Sequence, residues 1–336
     1  MNKPVFWMMV GLPGCGKSTI AKIIQRNVPN TVIHSSDELR GELFGNVNDQ
    51  SKNNELFTEL HRRIKADLAA GRNAIYDATN LNKKRRASFL AELKHIDCFK
   101  QCVLVLAPLD TCHIRNDNRF ERQVPGPVIN RMYMNFQPPF YSEGFDAISI
   151  EHNYKIEDTF RKYDLEKMFK PNSWFMNFDQ ENKHHRLTLG AHCDAAAAYI
   201  EAVFNERSRN EADLEELQRL GTVADAAWIH DIGKLTTKTR VNAKGEDDGQ
   251  CHYYQHHCTG AYDCFFYLRN MEKSCELDSP ENEAKNIYIS NLIYWHMMPY
   301  TAWKQSEKAR ERDKRLMTEQ MYEDVLMLHE ADLAAH

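Results

Sequence analysis

No stretch of this 336-residue chain approaches the roughly 20 consecutive apolar residues of a membrane span. The one apolar run near the N-terminus breaks off at once in glycines, with no small-residue cleavage site after it. Neither a membrane helix nor a signal peptide is predicted. No two cysteines stand in CxxC spacing. Nine scattered thiols argue against a disulfide framework and for a reducing, cytoplasmic setting. Positive charge is not in excess: the net charge of −5 excludes a globally basic nucleic-acid binder, while leaving room for a local basic channel. Internal repeats and low-complexity tracts are missing too. What is present is ordinary globular composition, 42% hydrophobic and 27% charged, at a length that accommodates two cores.

Residues 11–19 read GLPGCGKST. An apolar run, Val5–Val10, precedes them, and a segment with apolar residues at helical spacing follows. A strand, a glycine-rich turn and a helix N-terminus together make an anion site, because backbone amides converge there without a competing side chain. Gly11, Gly14 and Gly16 permit the turn, with Cys15 and Thr19 supplying further amides. Lys17 is placed to reach the outer phosphates of ATP, and Ser18 to join a Mg²⁺ shell.

Further strand-like runs at 31–34, 73–77, 99–106 and 147–150 alternate with helical stretches such as 55–70 and 84–93. That alternation predicts an α/β domain, a parallel sheet with helices on both faces, whose ligands gather at the carboxyl ends of the strands. After the second strand, Asp37 is placed to accept a proton from an attacking hydroxyl, with Arg40 on the same helical face. The segment also reads as a helix capped by Ser36 or Asp37, with a surface arginine. After the third strand come Asp77, Thr79 and Asn80, then four cations at 83–86. The cations read either as a solvated basic face or as the partners of an anion. Arg115, Arg119 and Arg122 share one helical face, and Pro125, Gly126 and Pro127 end that helix as a lid hinge would.

GLPGCGKST, SSDELR, DATN, RNDNRFERQVPGPVINRM and PPFYSEGFD occur in that order, and over about residues 1–150 the chain resembles the polynucleotide kinase family of P-loop phosphotransferases, the phage-type RNA end-healing kinases. The resemblance implies that Lys17 and Ser18 handle ATP and Mg²⁺ and that Asp37 is the general base for a 5′-hydroxyl. Arg40 would hold the phosphate beyond the attacking nucleoside, and Asp77, Thr79 and Asn80 would shape the acceptor pocket. Arg115 and Arg119 would be lid arginines, with Arg119 on the transition-state charge. Arg122 has no firm counterpart in that pattern.

Beyond residue 150 the alternation stops, and 11 of the 15 histidines lie there. The charged stretch 151–170 reads as helical and as the end of the first domain. Residues 171–185 read as a connector, and 187–204, 223–229, 261–268, 284–295 and 315–333 as helices without intervening strands. The prediction is a kinase domain at 1–170 followed by an all-α domain at 171–336. His192, His230, Asp231, His256, His296 and Asp332 recur at intervals of about two helices and their connections. Such spacing returns side chains to one level of a bundle. HDIGK, with LGAHCDAA before it and HHCTGA and ADLAA after it, resembles the HD-domain phosphohydrolases. That resemblance makes His192, His230, Asp231 and Asp332 core metal ligands and His256 and His296 the ligands of a second ion. It gives Lys234 a contact to a substrate phosphate and leaves His184 and His185 near the site. One or two ions of Mn, Fe, Co, Ni or Zn suit such nitrogen and oxygen ligands.

The two resemblances together imply a bifunctional RNA end-healing enzyme. It would phosphorylate 5′-hydroxyl ends of single-stranded RNA or DNA and remove a 2′,3′-cyclic or 3′ phosphate, with a separate ligase sealing the product. The competing reading is a nucleoside or small-molecule kinase fused to a nucleotide phosphohydrolase.

Overall fold

A computed structural model describes the chain except residues 1–2, 121, 156, 158, 160–161, 184–185, 210–212 and 272–278. His184 and His185 thus lie outside the described residues. The chain forms two compact units, Met1–Tyr133 with Pro139–Lys155, and Met134–Pro138 with Ile156–His336.

In the first unit the order is β1 (Val5–Val10), α1 (Lys17–Asn27), β2 (Thr31–Ser35), α2 (Ser36–Phe44), α3 (Asn53–Ala69), β3 (Asn73–Asp77), α4 (Lys83–Glu92), β4 (Phe99–Leu106), α5 (Leu109–Asp117), α6 (Gly126–Tyr133) and β5 (Ala147–His152). The five strands form one sheet in the order β2-β3-β1-β4-β5, every neighbouring pair parallel. β1 is buried almost throughout because helices cover both faces, which is why it reads as an unbroken apolar run. The expected parallel sheet with flanking helices is therefore present. Its last strand runs on to His152, paired with Leu106, where the sequence suggested helix from residue 151. Pairing with β4 outweighs local propensity there.

The cation run at 83–86 is partly structural. Asn82 caps α4 by accepting from the Arg85 amide at 3.0 Å. Arg86 is buried, and its Nε and an Nη donate to the two oxygens of fully buried Glu143 at 2.7 and 2.8 Å; buried Lys83 lies 3.9 Å from the same carboxylate. Two of the four cations thus neutralise an internal carboxylate and do not form a solvated face. Replacing Arg86 by Met strands that charge, so it is expected to cost about 3–5 kcal/mol in urea unfolding. The Arg86→Met/Glu143→Gln double variant should recover much of the loss.

The second unit comprises α7 (Leu165–Met168), α8 (Leu189–Arg209), α9 (Leu214–Ile229), α10 (Lys234–Thr237), β6 (Lys238–Val241), β7 (Asp247–Tyr253), α11 (His256–Met271), α12 (Pro280–Trp295), α13 (Ala302–Gln305), α14 (Glu307–Lys314) and α15 (Glu319–Ala334). It is predominantly helical, with several departures from expectation: α9 starts at Leu214, ahead of the expected 223, and α13 and α14 lie where no helix was expected. β6 and β7 form an antiparallel hairpin turned at Gly245, where φ is +87°. Its strands are polar and largely exposed, so no hydrophobic alternation advertised them. The helix expected at 315–333 begins later, because Thr318 accepts from the Met321 amide and caps α15. Among the described residues no helix is long and apolar enough to cross a membrane, and the described cysteines are free and buried.

Candidate active sites

In the first unit, parallel strands deliver their following loops to one edge of the sheet. The glycine loop leaves β1, and α1 starts at Lys17 with Gly16 as its cap, which offers no side chain to the first-turn amides. Gly16 has φ +103°, and a Cβ there would lie 1.8 Å from the Asn153 amide nitrogen. That amide donates to the Cys15 carbonyl at 2.8 Å, pinning the loop from beyond β5. Only glycine fits both constraints. The Gly11 amide donates to the Thr79 carbonyl at 3.1 Å, and the Lys17 ammonium to the Leu12 carbonyl at 2.7 Å.

β3 lies directly beside β1, so Asp77 emerges next to the start of α1. The Ser18 hydroxyl donates to its carboxylate at 2.6 Å. A P-loop hydroxyl hydrogen-bonded to a strand-end carboxylate is the donor pair that P-loop enzymes use for Mg²⁺. Asn80, at φ +47°, donates its side-chain amide to the Met9 carbonyl at 2.9 Å, and its own carbonyl accepts from Arg86. It therefore braces the loop after β3.

One strand further out on the same side, beyond β3, the α2 cap is Ser35, one residue earlier than the capping alternative for this segment. It accepts from the Glu38 amide at 3.3 Å. Asp37 is thereby left in the first turn with its carboxylate about half exposed. Arg40 is nearly buried and donates to Asp37 at 3.2 Å and to Asn53 at 2.9 Å. Arg122, which the family pattern did not place, also contacts the Asp37 carboxylate. Arg115 donates to the Asn153 carbonyl at 2.9 Å, beside the loop's far anchor, and Arg119 lies half-buried between them in sequence.

In the second unit, helix ends converge. His192 lies in the first turn of α8, His230 and Asp231 follow α9, and His256 opens α11. His296 closes α12, and Asp332 is near the end of α15. Gly233 makes the approach possible: a Cβ there would lie 2.0 Å from the His256 carbonyl oxygen. The two Asp231 oxygens face different partners. Oδ2 lies 3.5 Å from His192 Nε2 and 3.6 Å from His230 Nε2. Oδ1 lies 3.2 Å from His256 Nε2 and 3.6 Å from His296 Nε2. Asp332 Oδ1 adds contacts of 3.0 Å to His192 and 3.7 Å to His230. The result is two lobes sharing one bridging carboxylate, and all six expected ligands lie within it.

The imidazoles are held in one tautomer. Nδ1 of His230, His256 and His296 lies 2.7, 2.8 and 2.6 Å from the carbonyls of Ala227, Tyr253 and Ile293, and that of His192 lies 3.3 Å from the Ala335 carbonyl. A carbonyl only accepts, so each Nδ1 carries a proton and each Nε2 faces the centre, the nitrogen that would bind a cation in place of a proton. Buried His230 Nε2 makes no hydrogen bond. His256 and His296 direct their Nε2 atoms at each other across 3.2 Å, an arrangement that requires a proton or a cation between them.

Burial opposes ionisation of His192, His230, Asp231 and Asp332, but their mutual charges prevail, whereas at His296 burial wins and holds the imidazole below its usual range. Lys234, His230 and His192 hold the Asp231 carboxyl well below the usual carboxylate range. Asp231 and Asp332 hold His192 up at about 9. Two buried, ionised carboxylates amid converging imidazole nitrogens fit divalent cations, and the mixed nitrogen–oxygen set suits Mn, Fe, Co, Ni or Zn.

Lys234 is buried, donating to Asp231 Oδ2 at 2.5 Å and to Gln180 Oε1 at 2.8 Å, so its ammonium lies on the bridging carboxylate. Gln180 comes from the stretch that reads as a mere connector. His336, 3.4 Å from Asp332, was also not singled out from sequence; it lies on the same side of α15 as Asp332, four residues on.

Residues 6–139 match the family model of an AAA domain. With the sheet order and the glycine loop, this makes the first unit a P-loop kinase-type domain, for which ATP and Mg²⁺ are implied. No curated protein matches the chain. Similar solved structures include the following two. "Structure of the Pnkp1/Rnl/Hen1 RNA repair complex" is 23% identical with a TM-score of 0.35, over 40% of this chain and 44% of that one. "Structure of Pnkp1/Rnl/Hen1 complex" is 22% identical with a TM-score of 0.32, over 37% and 42%. The chain thus spans less than half the length of either.

Proposed function

We propose that the protein is a bifunctional end-healing enzyme. Its first unit phosphorylates 5′-hydroxyl polynucleotide ends from ATP, and its second unit removes a 2′,3′-cyclic or 3′ phosphate. The observation that carries this reading is the pairing of two complete chemical centres, one per compact unit: a P-loop beside a half-exposed aspartate, and a histidine cage bridged by one aspartate.

In the first centre Asp37 accepts the proton of the attacking hydroxyl while Arg40 and Arg122 orient its carboxylate. Lys17 and the loop amides take the phosphates, and Arg115 and Arg119 supply lid charge. Thr79 and Asn80 shape the acceptor side of the loop after β3. In the second centre His192, His230, Asp231 and Asp332 would hold one divalent ion, and Asp231, His256 and His296 a second. Such ions, when bound, would supply a water acidified to near neutral pH and positive charge against the phosphoester. Lys234 keeps the bridging carboxylate ionised and fixed.

The small-molecule alternative draws support from one observation: Lys83 and Arg86 are occupied by Glu143 and do not contribute to a polyanion track. A single assay decides. Labelled ATP is supplied with single-stranded RNA carrying a 5′-hydroxyl and a 2′,3′-cyclic phosphate, and both ends are followed. The expected result is 5′ phosphorylation and 3′ dephosphorylation, with Lys17→Ala stopping only the former. Activity on free nucleosides but on no oligonucleotide would establish the alternative.

A further inference from the structure

The loop between α5 and α6 carries Phe120, whose side chain is fully exposed. The fold does not need it there. The loop is closed at its base by buried Asn116, whose side chain accepts from the Val124 amide at 2.9 Å and donates to the Val124 carbonyl at 2.9 Å. Gln123 adds bonds to the carbonyls of Asp117 and Arg119 at 2.7 and 3.2 Å. Polar clasps therefore order this segment, and a large apolar ring is left in water at its tip, the opposite of what burial energetics favour.

Its position gives the ring a use. α5 follows β4, whereas Arg122, two residues beyond Phe120, contacts Asp37, which follows β2. In the order β2-β3-β1-β4-β5 the loop therefore crosses β1 and β3, about 14 Å at ordinary strand spacing. Its far end lies beside the candidate base, where Arg122 reaches Asp37. Along the sequence the ring is flanked by Arg115, Arg119 and Arg122. An aromatic face interleaved with guanidinium groups is the chemistry that holds single-stranded nucleic acid, with rings stacking on bases and cations meeting the phosphates.

We propose that Phe120 is a stacking platform for a nucleobase at the 5′ end of a single-stranded acceptor, gripping the strand as it leaves the Asp37 pocket. This rests on the polynucleotide kinase reading above. Because the ring is exposed and the loop is ordered by Asn116, its replacement leaves the fold intact.

The test is steady-state 5′-phosphorylation by the full chain and its Phe120→Ala and Phe120→Trp variants. Stacking of one base predicts that Phe120→Ala raises the KM for a 5′-hydroxyl RNA 12-mer about ten-fold. The KM for ATP and kcat should stay within about two-fold of wild type, and Phe120→Trp should restore the KM for RNA. An acceptor abasic at its first two positions should be used equally well by wild type and Phe120→Ala. A raised KM for ATP with an unchanged KM for RNA assigns the ring to adenine and overturns the proposal. So does an unchanged KM for both. Wild-type protein that phosphorylates nucleosides but no oligonucleotide overturns the kinase reading itself, an outcome visible without any variant.

Discussion

Asp231→Asn is expected to remove 3′-phosphate release by about a thousand-fold or more while leaving 5′ phosphorylation unchanged. The size follows from the position of this one carboxylate. Its Oδ2 faces His192 and His230 and its Oδ1 faces His256 and His296, so both lobes of the cage depend on it. An amide presents one neutral oxygen and one NH₂ group. The NH₂ group would point hydrogens at one imidazole pair, and neither lobe would keep an anionic ligand in common. Loss of the ion-assisted activation of water and of charge neutralisation together accounts for several kcal/mol of barrier. Metal analysis of protein equilibrated with Mn²⁺ should fall from about two ions per chain to one or none. His336→Ala should cost far less, because that imidazole is partly exposed and lies at the edge of the cage, against Asp332 and His192, away from the bridging carboxylate. A variant that keeps both ions and its hydrolytic rate would show that the bridging assignment is wrong.

The sequence was most informative where chemistry and local geometry coincide. The glycine loop announced its strand, turn and helix because each element has its own residue signature, and the five strands follow from apolar runs at a regular spacing. The cage residues, four histidines and two aspartates, were legible one by one from their spacing along the helical stretches, and their ligand roles from the HD-domain resemblance. That they meet, with Asp231 facing two pairs, depends on Gly233 letting the turn approach α11 and on carbonyls fixing every Nδ1, and neither leaves a pattern in the sequence. Long-range pairings were invisible for the same reason. Arg86 with Glu143 and Asn153 with the Cys15 carbonyl are polar contacts whose partners lie far away in the chain, so a basic run looked like a surface and a half-buried asparagine clasp like a loop. Gln180 was hidden differently: it lies in a stretch with no periodicity, yet its amide oxygen meets the catalytic-candidate Lys234. Arg122 shares a helical spacing with Arg115 and Arg119, yet α5 ends at Asp117 and Gly126 and Pro127 open α6, so the three arginines do not line one helix face, and Arg122 meets Asp37 from the loop between.

Ser18→Ala and Asp77→Asn are each expected to lower the kinase rate about a hundred- to a thousand-fold, and the double variant to be little slower than either. The reasoning starts from register. β3 pairs directly with β1, so the Asp77 carboxylate emerges alongside the first turn of α1 and accepts the Ser18 hydroxyl hydrogen at 2.6 Å. Two groups that position the same ion act as a unit, and removing one already forfeits most of what the pair supplies. Family resemblance placed Asp77 on the acceptor pocket, whereas its bond to the P-loop serine favours the Mg²⁺ side, and the kinetics separate the two. An acceptor-side role predicts a raised KM for the oligonucleotide at unchanged Mg²⁺ dependence. An ion-side role predicts a saturation curve shifted to higher Mg²⁺, with the KM for oligonucleotide near its wild-type value. Asp37→Asn supplies the contrast: loss of a general base lowers kcat about a hundred- to ten-thousand-fold while the Mg²⁺ curve stays in place, since Asp37 follows β2, one strand beyond β3, and its carboxylate is paired with Arg40 and Arg122 and not with Ser18. If Ser18→Ala and Asp77→Asn effects multiply instead of merging, the two side chains serve different ligands, and the hydrogen bond between them is only a brace for the loop.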